Sequence, residues 1–256
     1  MKYMGSKSRI AKFIVPIIQQ YIDNNKITKY VEPFVGGANV IDKIKCDIKF
    51  GYDKNKYLIA LLKRVQSGEE LYESVSKDLY NKARTAFNNG DTSEFEDWEI
   101  GNIGFIASFN GRWFDGGYAK TGYEKTKNGQ RLRNYYNEAK NNIVNQTDNI
   151  KNVIFNCCDY KNCIDLSNDK NMLIYCDPPY KGTKQYANAH DFDYEEFWET
   201  IRKWSIHNIV LVSEQSAPDD FKCIWEQEVS RSIKAGDKSK STEKLFIFSK
   251  GVKSLC

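Results

Sequence analysis

Asp177, Pro178, Pro179 and Tyr180 put a carboxylate, a stiff turn and an aromatic ring into four consecutive residues. They follow Met172-Leu173-Ile174-Tyr175-Cys176, an apolar run short enough to be a buried strand. The prolines end such a strand, and Pro178 biases Asp177 away from helical geometry. In an α/β sheet the carboxyl edge of the strands is where ligands bind. The chemistry this turn suits is methyl transfer to an exocyclic amine. The N6 lone pair of adenine is delocalised into the ring, which makes it a weak nucleophile. Hydrogen bonds from N6 to the Asp177 carboxylate and the Pro178 carbonyl would favour a tetrahedral nitrogen with its lone pair aimed at a methyl donor. Tyr180 would stack on the flat base and hold it out of a duplex. A plain strand-ending turn is the alternative, since Asp, Pro and Tyr are all ordinary turn residues.

The elements that must position this turn can be read on either side of it. Lys29 to Val40 reads as a strand, a glycine turn at Gly36-Gly37 and the start of a helix; two glycines let backbone approach a ligand closely. Asp53 follows a second short strand, Ile48 to Tyr52, where an acid commonly accepts ribose hydroxyls. The same Asp53 could instead cap the helix carrying Leu58, Leu61, Leu62 and Val65. Val153 to Asn156 is a further strand, and Asp159 beyond it is either a contact for the donor's adenine or a polar strand end. Asp193 to Ser205 has helical spacing, with Asp193 and Glu196 placed like a capping box. Ile209 to Ser213 is a buried strand, and Cys223 to Val229 with Lys244 to Ser249 forms a final strand pair. At the amino end Tyr3-Met4-Gly5-Ser6-Lys7 precedes an amphipathic helix, which Pro16 either kinks or starts. That segment is either a loop lying over a ligand or an ordinary frayed terminus.

Between residues 67 and 149 the strand-like runs thin out, and the segment reads as an inserted, mainly helical or irregular subdomain. Within it Asn110, Arg112 and Trp113 stand in a glycine-rich stretch, and Arg131 follows among further lysines and glycines. Such loops suit base-edge contacts, wedging and phosphate binding, or they are solvated loops packed on a small core of their own. A second basic run, with Arg231, Lys234, Lys238 and Lys240, is a candidate phosphate clamp or an exposed hairpin loop.

Composition narrows the classes. The 256 residues suit one large domain carrying an insertion, and 41% hydrophobic with 14% aromatic residues supplies a core. A net charge of +4 permits nucleic acid without requiring it. No apolar segment resembles a signal peptide or a membrane span, and the seven cysteines show no CxxC spacing. The expectation is a cytoplasmic protein with reduced thiols, no metal and no membrane association. His190 and His207 are the only histidines, and neither sits in a hydrolytic or zinc-binding arrangement.

Four ordered motifs resemble those of the DNA adenine-N6 methyltransferase (Dam-like) family, in its phage and mobile-element form. They are Tyr3-x-Gly5-x-Lys7, Glu32-Pro33-Phe34-Val35-Gly36-Gly37, Tyr52-Asp53 and Asp177-Pro178-Pro179-Tyr180. The likeness continues to Val229-Ser230-Arg231-Ser232-Ile233, whose counterpart precedes a DNA-contacting loop. The resemblance implies a Rossmann-like α/β sheet, mostly parallel with an antiparallel final strand. Residues 1–66 and 150–256 would form the catalytic domain and residues 67–149 an inserted target-recognition subdomain. The implied reaction is methyl transfer from S-adenosylmethionine to N6 of a flipped-out adenine in double-stranded DNA. Tyr3, Lys7, Asp53 and Asp177 match cofactor-contacting positions, and Phe34, Gly36 and Gly37 match the cofactor loop. Asp177, Pro178 and Tyr180 match the target-adenine site. The stretch from Asn110 to Phe114 aligns only loosely with GATC-reading members, so the target sequence is not implied. An RNA-adenine or protein-amide acceptor, a catalytically silent DNA-binding regulator and a dinucleotide oxidoreductase are the competing readings.

Overall fold

Short β-rich apolar runs alternate with capped amphipathic helices, and the chain folds accordingly as mixed α/β. The computed structural model describes residues 1–126, 129–165, 169–180, 192–230 and 240–249. In chain order the regular elements are α1 (Ala11–Asn24), β1 (Lys29–Glu32), β2 (Ile48–Asp53), α2 (Lys56–Gln66), α3 (Lys77–Asn88) and α4 (Asp97–Gly101). Then come β3 (Gly122–Thr126), β4 (Gly129–Arg133), α5 (Tyr135–Val144), α6 (Thr147–Ile150) and β5 (Val153–Cys157). The chain continues with β6 (Leu173–Cys176), α7 (Tyr194–Trp204), β7 (Ile209–Glu214), β8 (Phe221–Ser230) and β9 (Lys240–Phe248).

Among the described residues seven strands make one sheet in the order β5-β2-β1-β6-β7-β9-β8. β1 pairs in parallel with β2 and β6, β6 with β7, while β9 runs antiparallel to both β7 and β8. Numbered within this sheet alone, the order is 3-2-1-4-5-7-6. It is a Rossmann-like winding with the expected antiparallel final strand, which the structure inserts beside the fifth. The order reverses between β1 and β6, and in such sheets the crevice at that switch point binds ligands.

The chain divides into two compact units. The first comprises Met1–Lys12, Val35–Ile44 and Asp53–Cys158; the second comprises Phe13–Phe34, Lys45–Tyr52 and Asp159–Cys256. The first is wider than residues 67–149, because α2 packs on α4 rather than standing apart from the insertion. Gly101 at the end of α4 has no side chain, which lets the Tyr57 carbonyl of α2 approach its backbone. The core of this unit is formed by Leu58, Leu61, Leu62 and Val65 with Ile100, Ile103, Phe105 and Ile106, all buried. Asn102–Ile106 form a π-helical turn. The insertion also contains a two-stranded hairpin, β3–β4, which the sequence reading did not anticipate.

In the second unit α7 buries Phe197, Trp198, Ile201 and Trp204. Its amino end is capped by Asp193, which accepts hydrogen bonds from the Glu195 and Glu196 amides at 2.9 Å, while the Glu196 carboxylate, expected to complete a capping box, accepts from Lys161 instead. Acids in its first turn and bases in its last complement the helix dipole. Pro16 lies inside α1 without ending it. No described helix is long and apolar enough to cross a membrane.

Candidate active site

In the first unit the glycine turn is shaped by Tyr3 and Asp53. Gly36 has φ +48°, and a β-carbon there would meet the Tyr3 ring at 3.1 Å. At Gly37 a β-carbon would lie 2.7 Å from Asn39 Nδ2 and 3.0 Å from Tyr3 Cβ. Both glycines are therefore required by close approach. The turn does not lead into the expected α-helix. Ala38 takes φ +54°, and only a 3-10 turn at Ile41–Lys43 follows. Gln146 Nε2 donates to the Ala38 carbonyl at 3.0 Å and to Asp42 Oδ2 at 3.0 Å, holding the backbone in this irregular path. Tyr3 also packs on Phe105, with ring centroids 5.5 Å apart. Lys7 is buried at the start of a 3-10 turn.

Asp53 closes the loop from below. Its Oδ2 accepts the Gly36 amide at 3.2 Å and its Oδ1 the Asn55 amide at 3.0 Å. Asn55, not Asp53, caps α2, its side chain accepting from the Tyr57 and Leu58 amides. Asp53 is thus released from capping and faces the glycine turn. Desolvation pushes its carboxyl up to about 6, against the lowering effect of the two amides and Lys54.

In the second unit β1 and β6 are adjacent and parallel, Val31 beside Ile174. Glu32-Pro33-Phe34 and Asp177 to Tyr180 therefore leave the same edge of the sheet. Glu32 is buried and accepts the Tyr30 hydroxyl at 2.7 Å. Phe34 packs in an aromatic cluster, 5.2 Å from Tyr160 and 6.0 Å from Phe197 between centroids. Asp159 accepts the Lys161 amide at 3.1 Å and so caps a 3-10 turn, a structural role the polar strand end allowed for. Asp177 is half-buried, Pro178 buried and Tyr180 only 8% exposed. The Tyr180 hydroxyl donates to Glu243 Oε2 at 2.7 Å, and the Tyr194 hydroxyl donates to the Pro179 carbonyl at 2.9 Å. Neither Glu243 nor Tyr194 was singled out from sequence. Burial, then the nearby Asp177 and Glu243 charges, push the Tyr180 hydroxyl well above the ordinary phenol range.

The expected DNA-contacting residues fall into three groups. Asn110 and Arg112 are exposed, Asn110 at φ +56°. Trp113 is not: it is 6% exposed, with its ring 4.4 Å from Phe105, 4.9 Å from Phe114 and 5.1 Å from Phe87. Gly104 makes room for it, since a β-carbon there would lie 2.5 Å from Trp113 Cζ3. Trp113, expected in an accessible loop, thus packs in the core of the first unit. Arg131 is exposed on β4. Beside it on the hairpin Tyr123 and Leu132, directly paired across the strands, are 74% and 57% exposed. Arg133 instead turns to Glu138, donating from Nε at 2.8 Å and Nη2 at 2.5 Å and holding that carboxyl down to about 2. Arg231, Lys234 and Lys238 lie outside the described residues, as does the side chain of Lys240. Among the described residues no group of His, Cys, Asp and Glu is placed to hold a metal ion, and the six described cysteines are free.

Residues 3–210 match the family described as D12 class N6 adenine-specific DNA methyltransferase. The chain is also similar to the Type II methyltransferase M.MjaIII of Methanocaldococcus jannaschii. The two are 26% identical over 220 residues, which cover 77% of this chain and 74% of that one. The crystal structure of SMU.472 complexed with SAH aligns at 9% identity with a TM-score of 0.33, covering 93% of this chain. The chain spans about half of that protein, 53% of its length.

Proposed function

This chain belongs to the D12 class N6 adenine-specific DNA methyltransferases, and from that premise we propose that Asp177, Pro178 and Tyr180 carry out its methyl transfer on an adenine drawn out of double-stranded DNA. The observation that carries the assignment is the emergence of the Asp177 turn beside β1 at the sheet's switch point, with its tyrosine anchored by Glu243. The Asp177 carboxylate and Pro178 carbonyl accept the two N6 hydrogens, orient the nitrogen lone pair and localise it. Tyr180, neutral and held at its hydroxyl, offers its ring for stacking on the base. The residues provide positioning and hydrogen bonds, and the reaction needs no covalent bond to the protein.

S-adenosylmethionine, when bound, supplies an electrophilic sulfonium methyl. The donor set fits it. Asp53 offers carboxylate lone pairs suited to ribose hydroxyls; Tyr3, Lys7, Gly36 and Gly37 of the first unit, and Phe34, Asp159 and Asp177 of the second, are the remaining proposed contacts. Residues 67–149 serve as the target-recognition part. Asn110, Arg112 and Arg131 are available to bases and phosphates, and the Tyr123–Leu132 pair, with so much apolar surface in water, is the better candidate for wedging. Likeness to a Type II methyltransferase supports a restriction-modification setting.

The test uses purified protein, labelled S-adenosylmethionine and an unmethylated plasmid, followed by mapping of modified bases. N6-methyladenine in one short recurring context is expected. Cofactor binding without label in DNA would sink this reading and favour another acceptor.

A further inference from the structure

We propose that Glu243 is a positioning residue for the transfer: by accepting the Tyr180 hydroxyl it fixes the far end of the ring that stacks on the target adenine. The inference rests on the role given to Tyr180 above. The motif itself holds only the near end of that ring, through the backbone of a proline turn. The near end is secured separately, by the Tyr194 hydroxyl on the Pro179 carbonyl. A tyrosine held at its backbone alone keeps freedom about two side-chain torsions, and a stacking platform loses effect when its plane wanders. Glu243 removes that freedom from a place distant in sequence, on a paired strand. It lies on β9 opposite Gln227 of β8, next to Lys244, where β9 is paired on both sides, with Glu214 of β7 and Glu226 of β8. The bond is 2.7 Å long with an ionisable acceptor, within the range of strong charge-assisted hydrogen bonds. Tyr180 is buried, and loss of this acceptor removes the one carboxylate that its hydroxyl is shown to donate to, loosening the hold on the ring.

The test is a double-mutant cycle with Tyr180→Phe and Glu243→Ala, read as kcat and as KM for S-adenosylmethionine on methylatable plasmid, with thermal melts of each variant. Each single change is expected to lower kcat by about tenfold or more with little change in that KM. The double variant should be no slower than the slower single, because both remove the same bond. Glu243→Gln, whose amide oxygen can still accept, should recover most of the rate. Should Glu243→Ala fail to fold, Glu243→Met keeps the volume and removes the acceptor. Additive losses, an unchanged kcat without an acceptor at 243, or no recovery with Gln would overturn the proposal while the assigned reaction stands. A wild-type protein that transfers no methyl to adenine would instead overturn the functional reading, and this inference with it.

Discussion

Replacing Asp53 with asparagine tests whether the glycine turn is built around a partly desolvated carboxylate. An ordinary aspartate loses its proton near 4, whereas Asp53 is pushed up to about 6. Between those values the folded protein holds a proton that the unfolded chain has released. Its contribution to stability is therefore complete below about 4 and is lost as pH rises through 6. At about 1.4 kcal/mol per pH unit the loss reaches at most about 3 kcal/mol, and less to the extent that solvent reaches the half-buried side chain. The substituted amide carries no such proton, but it has one acceptor oxygen where Asp53 has two. The Gly36 and Asn55 amides then compete for one oxygen, at a cost of about 1–3 kcal/mol. These effects oppose each other at neutral pH, so the slope is the diagnostic quantity. Urea unfolding of wild type and Asp53→Asn at intervals from pH 4 to 7 should show wild type losing up to about 3 kcal/mol relative to the variant, mostly between 4 and 6. Ribose hydroxyls donating to Asp53 favour its ionised form. Calorimetric affinity for S-adenosylmethionine should then rise about tenfold per pH unit below 6, level off above it, and lose that dependence in Asp53→Asn. A stability difference independent of pH would refute the burial argument, and a flat affinity profile would remove Asp53 from the cofactor site.

Three further outcomes are expected. Asp177→Ala should abolish methyl transfer while the thermal midpoint changes little, since the side chain is only half-buried; near wild-type activity would remove Asp177 from catalysis. Trp113→Ala should destabilise by about 3–5 kcal/mol in denaturant unfolding, because it empties the aromatic cluster of the first unit, and a loss of DNA affinity at unchanged stability would restore a role as a wedge. Tyr123→Ser combined with Leu132→Ser should leave stability within about 0.5 kcal/mol yet weaken binding to target DNA in a gel-shift titration; unchanged binding would take the hairpin out of the interface.

What the sequence disclosed was governed by local rules. The apolar run before Asp177 and the prolines after it define β6 and its turn without reference to anything distant. Asp193 three residues before Glu196 is likewise a self-contained signal for the start of α7. Long-range packing accounts for what was hidden. Trp113 sits in a stretch rich in glycine and charge, and its burial depends on the space left at Gly104. The helix expected after Gly37 fails because Gln146, far along the chain, takes up the Ala38 carbonyl. Glu243 had no reason to stand out among the residues of an amphipathic strand, since its partner is Tyr180. The β3–β4 hairpin escaped notice because its strands are only five residues long and each begins with glycine, with charged residues following, types with little β preference.

The place of β9 also sets an order of events during synthesis. β9 lies between β7 and β8, so β8 reaches the rest of the sheet only through a strand made after it. A nascent chain halted before residue 240 would carry every residue of the Asp177 turn and the whole parallel part of the sheet. It would still leave the β7 edge bare, an open template for unwanted strand pairing. It would also lack the carboxylate that holds Tyr180. Completion of the sheet and fastening of the stacking ring thus coincide, and a truncated product should be aggregation-prone and idle together.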